Sequence, residues 1–189
     1  MQPGALELID ADERALRPLG LRWYVFGAQA VVVYGFVRQT ADVDVTVEEP
    51  PGGAAELIDA FTTAGFKLRV EDNVEDFVAR TRVLPLVHVP SRLPVDLVLA
   101  GPGPEEGFLQ RARTVEAAGV RFPVISPEDL VVVKVLAGRL KDLEDVRGVL
   151  LRNPDLDLEA VRARLHELQS LLDQSDLLPR LEEIVDRIR

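Results

Sequence analysis

Cysteine is absent from the 189-residue chain, which removes disulfide frameworks, zinc–thiolate centres and cysteine nucleophiles together. Histidine is nearly absent: His88 and His166 stand far apart, one in an apolar run and one in a polar helical stretch. Neither has a metal-ligand partner at useful spacing, so both read as structural. Aromatic residues make up only 5%, and Trp23 and Tyr24 sit in a β-branched run that reads as core rather than as a base-stacking platform. No hydrophobic stretch approaches the roughly 20 residues of a membrane helix, and Met1-Gln2-Pro3-Gly4 lacks the basic region of a secretory signal. A cytoplasmic protein that makes no use of the membrane is expected. Positive charge is also in deficit. Against 32 Asp and Glu there are 22 Lys and Arg, a formal net charge of −10, the wrong sign for a broad grip on nucleic acid. A local basic patch stays open, because Arg80, Arg82, Arg92, Arg111, Arg113 and Arg121 all fall in the middle third.

What is present is apolar material for a proper core, 47% of residues, enough for one compact domain or a domain with a helical annex. Periodicity predicts helices over Ala5–Leu16, Ala28–Phe36, Ala54–Ala64 and Glu105–Arg113, and strands over Arg22–Phe26, Val43–Glu48, Phe66–Val70, Val83–Val89 and Val95–Ala100. One or two short strands are expected around Gly119. Ser126-Pro127-Glu128-Asp129 is a helix start, with Ser at the N-cap, Pro at N1 and an acid at N3. From there the reading is helical, with breaks near Gly138, Asn153-Pro154, Gln174-Ser175 and Pro179. The fold class is therefore α/β (α+β): a small mixed sheet flanked by helices, residues 1–125, then an all-helical C-terminal part, residues 126–189, expected to pack on that core. Gly101-x-Gly103-x-x-x-Gly107 is no phosphate loop, since its prolines remove the N–H donors a cradle needs.

The chemistry lies in acids set among apolar strands. Asp42 and Asp44 are one residue apart at the head of Val43-Asp44-Val45-Thr46-Val47, and Asp96 interrupts Pro94-Val95-Asp96-Leu97-Val98-Leu99. An unpaired buried carboxylate costs several kcal/mol or is neutralised, so strands do not carry such groups for stability. Residues two apart in a strand share a face, which puts Asp42 and Asp44 on one face and leaves Val43, Val45 and Val47 for the core. If the strands of Asp44 and Asp96 are neighbours, three carboxylates converge on oxygen-loving Mg²⁺ or Mn²⁺, as phosphoryl transfer by in-line displacement requires. Gly27, between strand and helix, lets backbone N–H groups approach a phosphate. Arg38 and Thr40 either contact substrate phosphates or shape the loop. Lys134 interrupts an apolar helix; it reaches a ligand, snorkels, or pairs with Asp142 on the next helix. Taken singly, Asp142 and Asp145 read as solvated.

The string Gly27-Ala28-Gln29-Ala30 … Tyr34-Gly35 … Arg38-x-Thr40-x-Asp42-Val43-Asp44-Val45 resembles the signature of the DNA polymerase β-like nucleotidyltransferase superfamily. Asp96 in Pro94-Val95-Asp96-Leu97-Val98 looks like its third metal ligand. Ser126-Pro127-Glu128-Asp129-Leu130 … Lys134 … Ala137-Gly138-Arg139-x-Lys141-Asp142-Leu143-x-Asp145-Val146 is similar to the helical part of small nucleotidyltransferases related to AbiEii-type toxins. The resemblance runs over residues 20–150; the chain beyond matches no named motif.

This resemblance implies a metal-dependent nucleotidyltransferase that moves NMP from an NTP to a hydroxyl of an RNA 3′ end, a protein or a small molecule. It also implies a toxin role with an antitoxin partner. Asp42 and Asp44 would bind both metals, and Asp96 would complete the site and help deprotonate the nucleophile. Lys134 would reach the nucleotide phosphates, oriented by Asp142, with Gly27, Ala28, Arg38 and Thr40 completing the nucleotide-binding set. Where the family has Gly-Ser or Gly-Gly, this chain has Gly27-Ala28, losing a hydroxyl that would donate to phosphate. That departure and the acidic composition keep an alternative open: a fold-retaining, catalytically weak binding module acting through a protein partner. A phosphohydrolase using the same acids is a third reading.

Overall fold

The computed structural model describes residues 1–40, 42–70 and 72–188. Ala41, inside the acidic motif, lies outside the described residues, as do Glu71 and Arg189. Contacts divide the chain into two units, one formed by residues 1–29 and 39–125, the other by residues 30–38 and 126–189.

The first unit is built on a seven-stranded sheet among the described residues. Its strands are β1 (Trp23–Phe26), β2 (Val43–Val47), β3 (Phe66–Leu68), β4 (Val83–His88), β5 (Pro94–Leu99), β6 (Arg113–Ala117) and β7 (Val120–Val124), in the order β3-β4-β5-β2-β1-β7-β6. The pairs β2–β5 and β1–β7 are parallel; the other neighbours are antiparallel. Alternation selects the faces. Val43, Val45 and Val47 of β2 stand beside Val95, Leu97 and Leu99 of β5, all at most 3% exposed. Helices α1 (Pro3–Leu16) and α3 (Gly53–Thr63) pack on each other, α1 also against β7 and α3 against β3. Phe61 and Phe66 meet edge to face at 5.0 Å between ring centres, which adds to burial the preference of aromatic edges for ring faces.

Two features of this unit depart from expectation. A helix α4 (Val74–Thr81) forms where the sequence reading leaves a connection; it has only eight residues and buries one side chain, Val78, too short a segment for its periodicity to stand out. On α1, Asp12 is fully buried, and among the described residues neither carboxylate oxygen has a hydrogen-bond partner. Burial pushes its carboxyl well above the usual carboxylate range, because the neutral acid costs less to bury than the anion.

The chain passes through α2 (Gly27–Val33) into the second unit, whose other helices are α6 (Pro127–Ala137), α7 (Leu140–Arg152), α8 (Leu158–Leu172) and α9 (Leu177–Ile188); α5 (Pro104–Arg111) belongs to the first. The expected cap forms. Ser126 Oγ accepts from the Asp129 N–H at 3.1 Å and donates to the Asp129 carboxylate at 2.8 Å. Gly138 ends α6 in the left-handed conformation, φ 63°, the C-cap geometry that glycine adopts without penalty. The break expected at Pro179 does not occur; Pro179 lies in the first turn of α9, where a missing N–H costs no helical hydrogen bond.

Residues 30–38 are held in this unit by three contacts. The Phe36 ring lies against Gly148, where an added Cβ would meet ring carbons at 2.3 Å. Asn153 Nδ2 donates to the Tyr34 carbonyl at 3.0 Å, and the Arg38 guanidinium pairs with Asp145. No helix among the described residues is long and apolar enough to cross a membrane.

Candidate active site

Asp44 and Asp96 are direct partners across the parallel β2–β5 pair. Neighbouring strands run about 4.8 Å apart, so the two acids project side by side on the face opposite the Val43/Val45/Leu97 core. Asp96 is 39% exposed at its side chain, and Asp42, one residue ahead of β2, is exposed. Thr40 Oγ1 donates to Asp42 Oδ1 at 2.5 Å, and Gln29 Nε2 donates to the Asp42 carbonyl at 3.4 Å. Thr40 thus shapes the acidic turn.

Gly27 is placed by the same register, which sets Phe26 opposite Asp44. A Cβ on Gly27 would stand 1.9 Å from Asp44 Oδ2 and 2.8 Å from its Cγ, and its φ is +63°. Space and backbone both require glycine here, so that the Asp44 carboxylate can lie over a bare Cα. Ala28 follows, buried at 7% exposure.

The carboxylate set offers only hard oxygen donors, the chemistry Mg²⁺ and Mn²⁺ select, and the cleared space over Gly27 keeps Asp44 beside Asp96. The residues present fit a divalent cation. They are not drawn together around one, however: among the described residues no three Asp, Glu, His or Cys side chains are grouped so as to hold an ion. Asp42 is engaged by Thr40 and Asp96 by the guanidinium of Arg69. Arg69 is the residue that sequence reading missed, because its approach to Asp96 depends on strand order.

The second unit holds a different cluster. Lys134 Nζ lies 2.9 Å from Asp142 Oδ1 and 2.8 Å from Asp145 Oδ2. Arg139 also pairs with Asp142, and Arg38 with Asp145. Lys134, Asp142 and Asp145 are 6%, 0% and 2% exposed. The solvated reading of Asp142 and Asp145 is therefore corrected: Lys134 on α6 draws both aspartates of α7 inward, and buried charges persist only when paired. Burial pushes the Asp142 carboxyl up, but hydrogen bonds from Arg139 and Lys134, with their charges, outweigh it and hold the group below the usual carboxylate range. Of the middle-third arginines, Arg82 is spent on Glu49 at 2.9 Å and on the carbonyls of Leu99 and Ala100. His88 is buried, its ring nitrogen 2.8 Å from Ser91 Oγ.

Residues 5–185 match the family described as nucleotidyltransferase of unknown function, DUF6036. The chain belongs to this nucleotidyltransferase family. No curated protein sequence matches it. Among solved structures, it is similar to the solution structure of the antibiotic-resistance factor ANT(2″)-Ia, with TM-score 0.62 and 17% identity, over 92% of this chain and 95% of that one. An antigenic nucleotidyltransferase-like protein from Paracoccidioides brasiliensis gives TM-score 0.58 and 17% identity, over 94% and 91%. The lincosamide antibiotic adenylyltransferase LnuA gives 0.51 and 14%, over 79% and 96%. These likenesses show a shared nucleotidyltransferase fold.

Proposed function

We propose that this DUF6036 nucleotidyltransferase transfers NMP from an NTP to a hydroxyl of a small molecule, with release of pyrophosphate, in a reaction dependent on Mg²⁺ or Mn²⁺. The observation that carries the reading is the side-by-side register of Asp44 and Asp96 next to Gly27, with Asp42 two residues away on an exposed turn. A bound divalent cation would supply charge neutralisation for the phosphates and a more acidic acceptor hydroxyl. Asp42 and Asp44 would hold it from β2, and Asp96 from β5. Asp96 would also accept the proton of the acceptor hydroxyl, the nearest unspent role for an exposed carboxylate in this row. Gly27 and Ala28 would leave backbone room for the triphosphate. The motif resemblance also implies nucleotide-binding roles for Arg38, Lys134 and Asp142, but Arg38 pairs with Asp145, Lys134 with Asp142 and Asp145, and Asp142 also with Arg139, which favours a structural role within the second unit.

A small acceptor is favoured over an RNA end by the net charge of −10, which repels a phosphate backbone. It also agrees with the antibiotic ligands named for similar structures: lincomycin bound to LnuA, and adenylyl-2″-tobramycin in complex with ANT(2″)-Ia. A toxin role would be the same transfer on a cellular acceptor, and growth arrest on induction of wild type but not of Asp44→Asn would show it.

The direct assay incubates the protein with Mg²⁺, each labelled NTP and a panel of hydroxylated small molecules, following pyrophosphate release. Wild type should release pyrophosphate with an NMP-labelled product, and Asp42→Asn/Asp44→Asn should not. Orthophosphate as the sole product would identify a phosphohydrolase instead. A second reading, a binding module with weak or lost turnover, is favoured by the engagement of Asp96 by Arg69 and by Ala28 where the resembled motif has serine or glycine. Calorimetry separates the two: tight partner binding with no Mg²⁺-dependent NTP affinity would favour the module.

A further inference from the structure

Asp44 and Asp96 belong to a row that runs across the sheet. Asp96 pairs laterally with Pro85 of β4, and the Arg69 N–H donates to the Pro85 carbonyl at 3.0 Å, extending the β3 ladder by one residue. The row reads Arg69, Pro85, Asp96, Asp44, Phe26. Arg69 thus stands two strand spacings from Asp96, roughly 10 Å at the backbone. Its long side chain crosses Pro85, whose ring offers no polar group to stop it, and the guanidinium pairs with Asp96 Oδ1.

We infer that Arg69 is a built-in counter-ion that holds Asp96 in the metal-free protein and must let go when a divalent cation is loaded; the inference rests on the carboxylate site proposed above. Three observations converge. Asp96 and Asp44 are like charges on adjacent positions, and such neighbours repel unless a cation lies among them. Arg69 supplies such a cation to Asp96. The pair is open to water, with 38% of the Arg69 side chain and 39% of the Asp96 side chain exposed, so it exchanges readily and is held by little net free energy. Arg69 is accordingly a positioning residue acting through Asp96, and it sets how tightly the empty site takes up metal. It competes with the cation for one carboxylate oxygen, so removing its charge should tighten metal binding while weakening the metal-free fold slightly.

The test measures Mn²⁺ affinity without nucleotide, by electron paramagnetic resonance, on wild type, Arg69→Met, Arg69→Lys, and Asp44→Asn in the wild-type and Arg69→Met backgrounds. Arg69→Met should bind Mn²⁺ roughly threefold or more tightly than wild type, the scale of losing an exposed ion-pair competitor. Arg69→Lys should stay near wild type, since it keeps the charge. Asp44→Asn should weaken binding in both backgrounds. If Asp44→Asn weakens binding but Arg69→Met leaves it equal or weaker, the counter-ion role is overturned and the carboxylate site stands. If Mn²⁺ binds neither wild type nor Arg69→Met, or binds without regard to Asp44, the site reading falls and the counter-ion role with it. A second readout uses the unaltered protein. The Arg69 Nε–H resonance should move on titration with Mg²⁺ toward its position in Asp96→Asn, and a resonance that does not move overturns the inference.

Discussion

Two groups of aspartates in this chain are treated in opposite ways. On the sheet of the first unit, Asp42 and Asp96 remain open to water and are engaged by side chains that can be exchanged, Thr40 and Arg69. In the second unit, Asp142 and Asp145 are at most 2% exposed and are clamped by Lys134, Arg139 and Arg38. The difference teaches how to read an acidic motif. A carboxylate that can trade its partner is available for chemistry, whereas one buried among fixed cations chiefly holds helices together.

The comparison breaks most sharply at Asp44. Asp44→Asn should lower nucleotidyl transfer by roughly a thousandfold, the scale of losing a group that positions metal and phosphate, while thermal unfolding shifts little. Lys134→Met should do the reverse. It leaves two buried carboxylates short of a partner and should destabilise the protein by about 3–5 kcal/mol, read by urea unfolding. A Lys134 variant that stays folded at wild-type stability yet loses NTP affinity would move this lysine from the structural to the ligand-binding class. Gly27→Ala comes next: strain at φ +63° and the collision with Asp44 should cost about 1–2 kcal/mol, with a larger fractional loss of transfer.

The smaller effects concern pH. Asp12 keeps its proton in the folded state above the pH at which the unfolded chain releases it, near 4. The folded state therefore binds more protons there, and the stability Asp12 contributes falls as pH rises from about 4. Asp12→Asn should raise stability by about 1–2 kcal/mol near pH 8, an advantage that shrinks toward pH 4. Asp142 has the opposite sign. Its lowered folded-state value gives stability that is present at neutral pH and is lost as pH falls below about 4.

Sequence reading recovered the strands and the acidic register because period-two alternation around Val43–Val47 and Val95–Leu99 admits one burial pattern, and that pattern sends Asp44 and Asp96 to the same side. The cap at Ser126 and the break at Gly138 were local chemistry and were equally plain. What escaped was non-local. Arg69 reaches Asp96 only because β4 lies between β3 and β5, and Arg38 meets Asp145 only because Phe36 fits over Gly148. Asp12, inside an otherwise ordinary amphipathic helix, gave no sign in its neighbours that it would be buried without a partner.

The proposed reaction requires Asp44 and Asp96 to share a divalent cation beside Gly27. Anomalous diffraction from crystals soaked in Mn²⁺ with a non-hydrolysable NTP tests it most directly. The prediction is a manganese peak within coordination distance of both carboxylates, with Arg69 turned away from Asp96. Manganese bound only elsewhere, with the Arg69–Asp96 pair intact and nucleotide present, would contradict it.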